Sequence, residues 1–180
     1  MPQLLREINT ITIHSADWPN GKHLSVAEID RWHLERGFRR QVYWVRRFNR
    51  DLHAFGYHYL IDVDGQIYTG RHLDEIPAQA KDHNSKSVGI CLSGRDKFTP
   101  AQWASLALLV ERIKADIKAG KHPLVPVVNG HRDLSPDKNG DGIISPNEWA
   151  KTCPGFNVAD WLKGGMEPLA GHIIDQPKGD

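Results

Sequence analysis

The stretch from residue 129 to residue 156 constrains the fold of this chain more than any other. It reads NGHRDLSPDKNGDGIISPNEWAKTCPGF, and its inner part, from Asp137 to Glu148, fits the pattern D-x-[DN]-x-[DN]-G-x5-E at every fixed position. Loops of this pattern wrap a hard cation such as Ca²⁺ in about six to eight oxygen ligands. Gly142 stands where such a loop must turn sharply. The predicted ligands are Asp137, Asn139, Asp141, the backbone carbonyl of Ile143, Ser145 acting through a water, and Glu148 with both carboxylate oxygens.

The segments that flank this loop indicate what kind of site it forms. HRDLSP precedes it and WAKTCPGF follows it, and neither has the pattern of a long helix. We therefore expect one EF-hand-type calcium loop inserted into another fold, rather than the paired loops of a calcium sensor. The alternative is a surface turn rich in Asn, Gly and Asp, because N-G and D-G are common turn dipeptides.

The same stretch carries a second set of metal-binding residue types, His131 and Cys153, with Lys151 two residues before the cysteine. One histidine and one cysteine do not complete a catalytic zinc site, because such sites use about three protein ligands and leave a fourth position open. A third ligand must therefore come from elsewhere in the chain.

Composition excludes several classes of protein. The chain has 180 residues, 39% of them apolar and 25% charged, which is typical of one soluble globular domain. A net charge of +1 argues against a partner held by bulk charge, so no nucleic acid partner is expected. No segment approaches the ~20 apolar residues of a membrane span, and the N-terminus lacks the pattern of a signal peptide. Without export, the two cysteines are expected to be free thiols or metal ligands.

The first half of the chain predicts a strand, two helices and a hairpin. Residues 8–14 alternate as a strand that ends in His14, where either a site residue or a packing histidine could stand. A helix is predicted from a capping box at Ser25 to about Arg36, and a second helix over residues 38–54. The second helix carries a face of arginines, predicted to be solvated or, alternatively, to contact an anionic cell envelope: Arg39, Arg40, Arg46, Arg47 and Arg50. Strands at 57–63 and 66–69 then flank an Asp-Gly turn.

The second half predicts the rest of an α/β (mixed) fold, a central mixed β-sheet flanked by helices. Residues 87–93 read as a buried strand that includes Cys91, and residues 99–119 as a helix that begins with a capping box. A short strand at 124–128 leads to His131, and VADWLK predicts a last helix. Residues 164–180 have little periodicity and are predicted to be a partly mobile tail.

Six segments in this order resemble a known family: ITIHSAD, GYHYLID, SVGICLSG, FTPAQ, GHRD and KTCPG. They are similar to the zinc-dependent N-acetylmuramoyl-L-alanine amidases of the second amidase family, which includes phage lysin amidases and peptidoglycan recognition proteins. The resemblance covers roughly residues 8–163. It implies one catalytic domain over residues 1–163, with the calcium loop 137–148 inserted, followed by the tail 164–180.

The resemblance also implies a site. Its zinc ligands are His14, His131 and Cys153, with the fourth position open to water. Lys151 is implied as the partner of the oxyanion, although a solvent-exposed lysine is the alternative, and Tyr57 is implied to orient water or substrate. Which of these two residues transfers the proton is left open. Asn84 and Ala80 lie in the loop that helps line the groove in relatives, and Gln79 stands where some phage members have histidine and is given no catalytic role.

By resemblance, the substrate is peptidoglycan, and the bond is the amide between N-acetylmuramic acid and L-alanine of the stem peptide. We expect a monomeric phage or prophage endolysin, made in the cytoplasm without a signal peptide and released to the cell wall by a separate protein. The alternatives are a non-catalytic peptidoglycan-binding module, a cytoplasmic amidase that recycles wall fragments, a polymerase-binding regulator and a calcium-dependent docking module. A further hypothesis is that Ca²⁺ orders residues 137–148 and thereby places Cys153 and Lys151 relative to His131.

Overall fold

A computed structural model describes residues 6–120 and 125–174. The strands are β1 (Thr10–Ser15), β2 (Tyr59–Ile61), β3 (Ile67–Thr69), β4 (Ser87–Leu92) and β5 (Val127–Gly130). The helices are α1 (Val26–Glu35), α2 (Val42–Val45), α3 (Pro100–Ala119) and α4 (Val158–Lys163), and a 3-10 turn at His131–Leu134 follows β5 directly. No helix within these residues has the length and apolar content needed to cross a membrane.

The five strands form one mixed sheet in the order β3-β2-β4-β1-β5, which confirms the predicted sheet type. Only the β2–β3 pair is antiparallel, and the pairs β2–β4, β1–β4 and β1–β5 are parallel. β1 therefore lies inside the sheet, with His14 opposite Cys91 of β4 and Ile13 opposite Gly130 of β5. Because β4 and β5 run parallel to β1, the carboxyl ends of these three strands lie at the same edge of the sheet.

Apolar side chains cover both faces of the sheet. On one face, α3 and α4 pack against β1 and β4 through a cluster that includes Ile11, Ile13, Trp103 and Trp161. On the other face, a smaller cluster includes Leu24, Ile29, Leu52, Phe55, Leu60 and Cys91. Cys91 is fully buried, as predicted for a core residue. Since strand side chains alternate, His14 points away from the face that Ile13 covers.

Helix starts follow the predicted capping residues. Thr99 accepts a hydrogen bond from Gln102 N and the Gln102 side chain binds back, which completes the capping box of α3. Ser25 caps α1 by accepting from Glu28 N. The Glu28 carboxylate instead pairs with Arg31, so the reciprocal half of that predicted box is absent from the hydrogen bonds of α1.

The predicted helix over residues 38–54 is wrong, because only Val42–Val45 is helical. Arg40 explains the difference. Its guanidinium is fully buried, pairs with Glu75 at 2.8 Å and donates to the carbonyl oxygens of Phe48, Asn49 and Leu52. The segment folds around this side chain as a series of turns, so Arg40 does not belong to a solvated face. The other arginines of that predicted face, Arg39, Arg46, Arg47 and Arg50, are exposed.

The predicted tail is packed over its described part. Met166 and Leu169 contact the main core cluster. Phe98 N donates to His172 O at 2.9 Å, and Ile174 N donates to Phe98 O at 2.9 Å. Residues 164–174 thus extend the packed unit beyond residue 163, residues 175–180 lie outside the described residues, and a domain boundary at residue 163 stays a prediction. The predicted strand at 124–128 is observed at Val127–Gly130, and residue 124 is likewise outside the described part.

Candidate metal centre

The three predicted zinc ligands converge at the edge where β1 and β5 end. His14 is near the end of β1, His131 opens the 3-10 turn after β5, and Cys153 approaches from the long link that follows. One ligand atom from each residue lies within 4.8 Å of the others. Among the described residues, this is the only group of three or more His, Cys, Asp or Glu side chains arranged so closely.

Backbone contacts hold Cys153 against the strand ends. Ser15 N donates to Cys153 Sγ at 3.1 Å, and Sγ lies 3.7 Å from His14 Nδ1. Arg132 N donates to Cys153 O at 2.9 Å, which ties the cysteine to the turn that carries His131. Gly130 permits this approach, because a Cβ there would lie 2.6 Å from Pro154 Cδ. The absence of a side chain at Gly130 therefore lets the Cys153–Pro154 segment pack against the end of β5.

The electrostatics of the three residues suit a soft or borderline cation. Burial lowers the pKa of His14 well below its usual range, and burial together with Lys151 lowers the pKa of His131. Both imidazoles are therefore neutral at pH 7, the form that binds metals. Burial raises the pKa of Cys153 to about 11, so the thiolate is costly unless a cation compensates it. Two imidazoles and one thiolate are a donor set that suits Zn²⁺.

The centre opens into a cavity of about 540 Å³ that also contains the two predicted catalytic residues. Tyr57 lines the cavity beside His14, with ring centroids 5.0 Å apart. Burial raises the pKa of the Tyr57 phenol well above its usual range, so the phenol is neutral. Lys151, two residues before Cys153, also lines the cavity and is exposed. The structure thus brings together His14, His131, Cys153, Tyr57 and Lys151.

The wall residues that sequence reasoning missed include Arg36, Arg95 and Trp149. Arg95 follows β4, and its position just past a parallel strand at the ligand-bearing edge could have indicated it. Arg36 only becomes a wall residue through the packing of α1, which no local pattern shows. Conversely, Ala80 is buried and Asn84 accepts hydrogen bonds from Gln79 N and Ala80 N, and neither belongs to the described residues that line the cavity.

The predicted calcium ligands form a closed loop of local hydrogen bonds. Asp137 accepts from Gly140 N and Gly142 N, Asp141 accepts from Ile143 N, and the buried Glu148 accepts from Lys138 N, Asn139 N and Ser145. These contacts with Ser145 and the backbone lower the pKa of Glu148 to about 2, so it is ionised at neutral pH. Gly142 has φ of 81°, as its predicted turn position requires. The calcium site itself stays a prediction.

Two contacts join the segments that flank this loop, beside the candidate metal centre. Ala150 N donates to Ser135 Oγ at 2.9 Å, and the Arg132 guanidinium lies 4.1 Å from the centroid of the Trp149 ring. Ser135 and Arg132 belong to the segment just after His131, whereas Trp149 and Ala150 lie just before Lys151. The two ends of the loop are therefore fastened to each other beside the cavity.

The mixed sheet and its flanking helices have the fold of amidases and peptidoglycan recognition proteins. The chain belongs to the N-acetylmuramoyl-L-alanine amidase family, whose model matches residues 4–156. Membership supports a hydrolase that acts on peptidoglycan.

Several known proteins are similar to this chain. The endolysin of Enterobacteria phage K11 is 27% identical over 168 residues, covering 89% of each chain. An uncharacterized protein of Haemophilus influenzae is 47% identical over 122 residues, which are 63% of this chain and all of that one. The amidase LysC of Clostridium intestinale has a TM-score of 0.62 at 22% identity and covers 92% of this chain and 90% of its own, a likeness that shows the fold alone.

Proposed function

We propose that this protein is a zinc-dependent N-acetylmuramoyl-L-alanine amidase that hydrolyses the bond between N-acetylmuramic acid and L-alanine of the stem peptide. The observation that carries the proposal is the convergence of His14, His131 and Cys153 within 4.8 Å at the bottom of an open cavity. Family membership supplies the reaction class. When bound by these residues, zinc polarises the amide carbonyl and makes water a better nucleophile near neutral pH.

Lys151 and Tyr57 have different parts in this mechanism. The ammonium group of Lys151 stabilises the negative oxygen that develops when water adds to the amide carbon. The neutral phenol of Tyr57, beside His14, orients the attacking water or the substrate through a hydrogen bond. Comparing the pH profiles of Tyr57→Phe and Lys151→Arg assigns the proton transfer, because the loss of the group that transfers the proton removes its limb of the profile.

The direct test pairs metal analysis with peptide release from purified peptidoglycan. We expect about one zinc per chain in the wild type, and release of peptides with a free L-alanine amino group. Cys153→Ser should lose both properties, whereas Cys91→Ala, a change at the other cysteine, should keep its zinc. Zinc without cleavage would point to a recognition module, and a wild-type protein that takes up no zinc would refute the metal centre.

We also propose that residues 137–148 bind Ca²⁺ and that binding fixes Lys151 and Cys153 relative to His131. The support is the ligand spacing together with the two contacts that fasten the ends of the loop beside the cavity. Calorimetric titration at constant zinc should show calcium binding that Glu148→Gln weakens strongly and Glu167→Gln, a change outside the loop, leaves intact. Equal melting temperature and equal amidase activity with and without Ca²⁺ would count against the coupling.

For its place in the cell, we propose a monomeric, single-domain endolysin over residues 1–163 that reaches the wall through a separate release protein. The relatives named as endolysins support the endolysin assignment. A cytoplasmic amidase that recycles fragments is the alternative. Rates on intact sacculi and on soluble muropeptides distinguish the two, since an endolysin must cleave the polymer whereas a recycling enzyme needs only the soluble fragments.

A further inference from the structure

The two ring nitrogens of His14 face different partners. Nδ1 lies 3.7 Å from Cys153 Sγ and therefore points into the candidate metal centre. Nε2 lies 2.9 Å from Oε1 of Gln79, outside the centre. A neutral imidazole carries one proton, and the hydrogen bond at one nitrogen decides which nitrogen is left free to bind a metal. The atom that faces Nε2 therefore determines whether Nδ1 has a free lone pair for a metal.

The orientation of the Gln79 amide follows from its other partner. Gln79 Nε2 donates to Ser87 Oγ at 2.8 Å, and Ser87 Oγ in turn donates to Asn84 O at 3.4 Å. Because the Ser87 hydroxyl proton is directed to a carbonyl, its oxygen is free to accept from the amide. This leaves Gln79 Oε1 as the acceptor toward His14, so the proton sits on His14 Nε2 and the lone pair of Nδ1 faces the centre.

Two further features fix the position of this amide. The backbone N–H groups of Gln79 and Ala80 both donate to Asn84 Oδ1 at 3.0 Å, which shapes the loop that carries Gln79. The side chain then lies on Gly89 of β4, where a Cβ would stand 1.9 Å from Gln79 Oε1 and 2.6 Å from its Cδ. Glycine is unfavourable inside a buried strand unless another group must approach closely. Here that group is the Gln79 amide.

From this chain of contacts we infer that Gln79 is a positioning residue, which orients His14 and selects the tautomer that binds zinc through Nδ1. The inference rests on the proposed function, because it requires His14 to be a ligand. Outer hydrogen bonds to a ligating histidine typically change metal affinity by about 10- to 100-fold. The role acts through His14, and Gln79 itself is not assigned a contact with substrate.

The test measures zinc affinity of the metal-free protein by competition with a chromogenic chelator, alongside the His14 tautomer by ¹⁵N NMR. Gln79→Ala should weaken zinc binding about 10- to 100-fold and redistribute the proton between the two nitrogens. Gln79→Glu keeps an acceptor facing Nε2 and should restore most of the affinity. Gln66→Ala, at an exposed glutamine in the β2–β3 turn, is the matched control and should bind zinc as the wild type does.

Two other variants perturb the position of the Gln79 side-chain amide without changing Gln79 itself. Gly89→Ala should displace the side chain and mimic Gln79→Ala, and Ser87→Ala should give a smaller loss because it frees the amide to rotate. Ser87→Ala also serves if Gln79→Ala does not fold. Wild-type zinc affinity and an unchanged Nε2-protonated His14 in Gln79→Ala would overturn the inference while leaving the proposed function standing. A wild-type protein that binds no zinc would overturn both.

Discussion

Lys151 and Tyr57 line the same cavity but differ in exposure, since Lys151 is exposed and Tyr57 is half-buried. The exposed ammonium group of Lys151 can follow a substrate as it enters, whereas the Tyr57 ring is held beside His14 and, on its other side, beside His33 at a centroid distance of 5.3 Å. A rigid group suits alignment, and a mobile charge suits an oxyanion that exists only during the reaction. The two residues should therefore respond differently to substitution.

Replacement of Lys151 tests its part in the reaction. Lys151→Met should lower kcat about a hundredfold to a thousandfold, because one donor to the developing oxyanion is lost, with zinc content unchanged. Steady-state rates on a soluble muropeptide measure the effect. Lys118→Met, at an exposed lysine near the end of α3, should leave kcat unchanged. A drop in zinc content in Lys151→Met would assign the lysine to the metal centre rather than to the reaction.

His33 gives a prediction for stability against pH. Burial lowers its pKa from 6.5 to about 4, and its Nδ1 accepts a hydrogen bond from Gly56 N that protonation would abolish. Between these two pKa values, His33 binds more protons in the unfolded chain than in the folded one. The contribution of His33 to the free energy of unfolding is therefore fully present above pH 6.5 and is lost as the pH is lowered toward 4. The loss amounts to roughly 3 kcal/mol at most.

Urea unfolding at pH 7 and pH 4.5 measures the contribution of His33. We expect His33→Gln to be less stable than the wild type at pH 7 but to lose less stability on acidification, since glutamine does not titrate. The buried His58 also has a lowered pKa, so it contributes to the acid loss in both proteins. The effect of His33 is therefore the difference between the losses of wild type and variant. An equal loss on acidification would show that His33 is not one of the groups responsible.

At the scale of elements, residues 38–54 have the hydrophobic periodicity of a helix but fold as turns around one buried polar side chain, that of Arg40. Val45, Phe48 and Leu52 have helical spacing, which favoured a helix. The same spacing is equally compatible with turns that place these residues around Arg40. The pairing of Arg40 with Glu75 favours the turns over the helix. Glu75 is distant in the chain, and no local pattern predicts a partner at that distance.

Arg40→Met should therefore destabilise the protein more than any other arginine substitution in this segment. Removing the guanidinium leaves Glu75 charged and buried beside Arg71, its remaining partner at 3.4 Å, and frees the carbonyls that Arg40 binds. Breaking such a buried pair typically costs about 3–5 kcal/mol. Arg50→Met, at an exposed position of the same segment, should stay within about 0.5 kcal/mol of the wild type. Urea unfolding compares the two.

At the scale of the whole molecule, the candidate ligands join three distant parts of the chain, β1, the turn after β5 and the segment at Cys153. Zinc at about a hundred times its Kd should add about 2.7 kcal/mol of stability, because only the folded chain assembles the site. For a protein of this size that is roughly 5–10 °C in Tm. Calorimetry with and without zinc should show the shift in the wild type and no shift in Cys153→Ser.

The sequence could predict the mixed sheet and the five candidate site residues, all of which line the cavity, because each of them occurs in a short motif next to a strand or turn. Gln79, Arg36 and Arg40 could not be assigned in this way. Their roles depend on a partner that is distant in the chain: His14 for Gln79, the cavity wall for Arg36 and Glu75 for Arg40. Local sequence patterns predict whether a residue is buried far better than they predict which distant residue it contacts.

The position of β1 inside the sheet also has a consequence for when this enzyme can first exist. β1 leaves the ribosome early, yet both of its neighbours, β4 and β5, are synthesised later, and Cys153 later still. A nascent chain that stops before Cys153 contains His14 but lacks one of the three candidate ligands. If the proposed function holds, a fragment that ends before Cys153 cannot assemble the zinc site, so hydrolysis must wait until translation has passed all three candidate ligands.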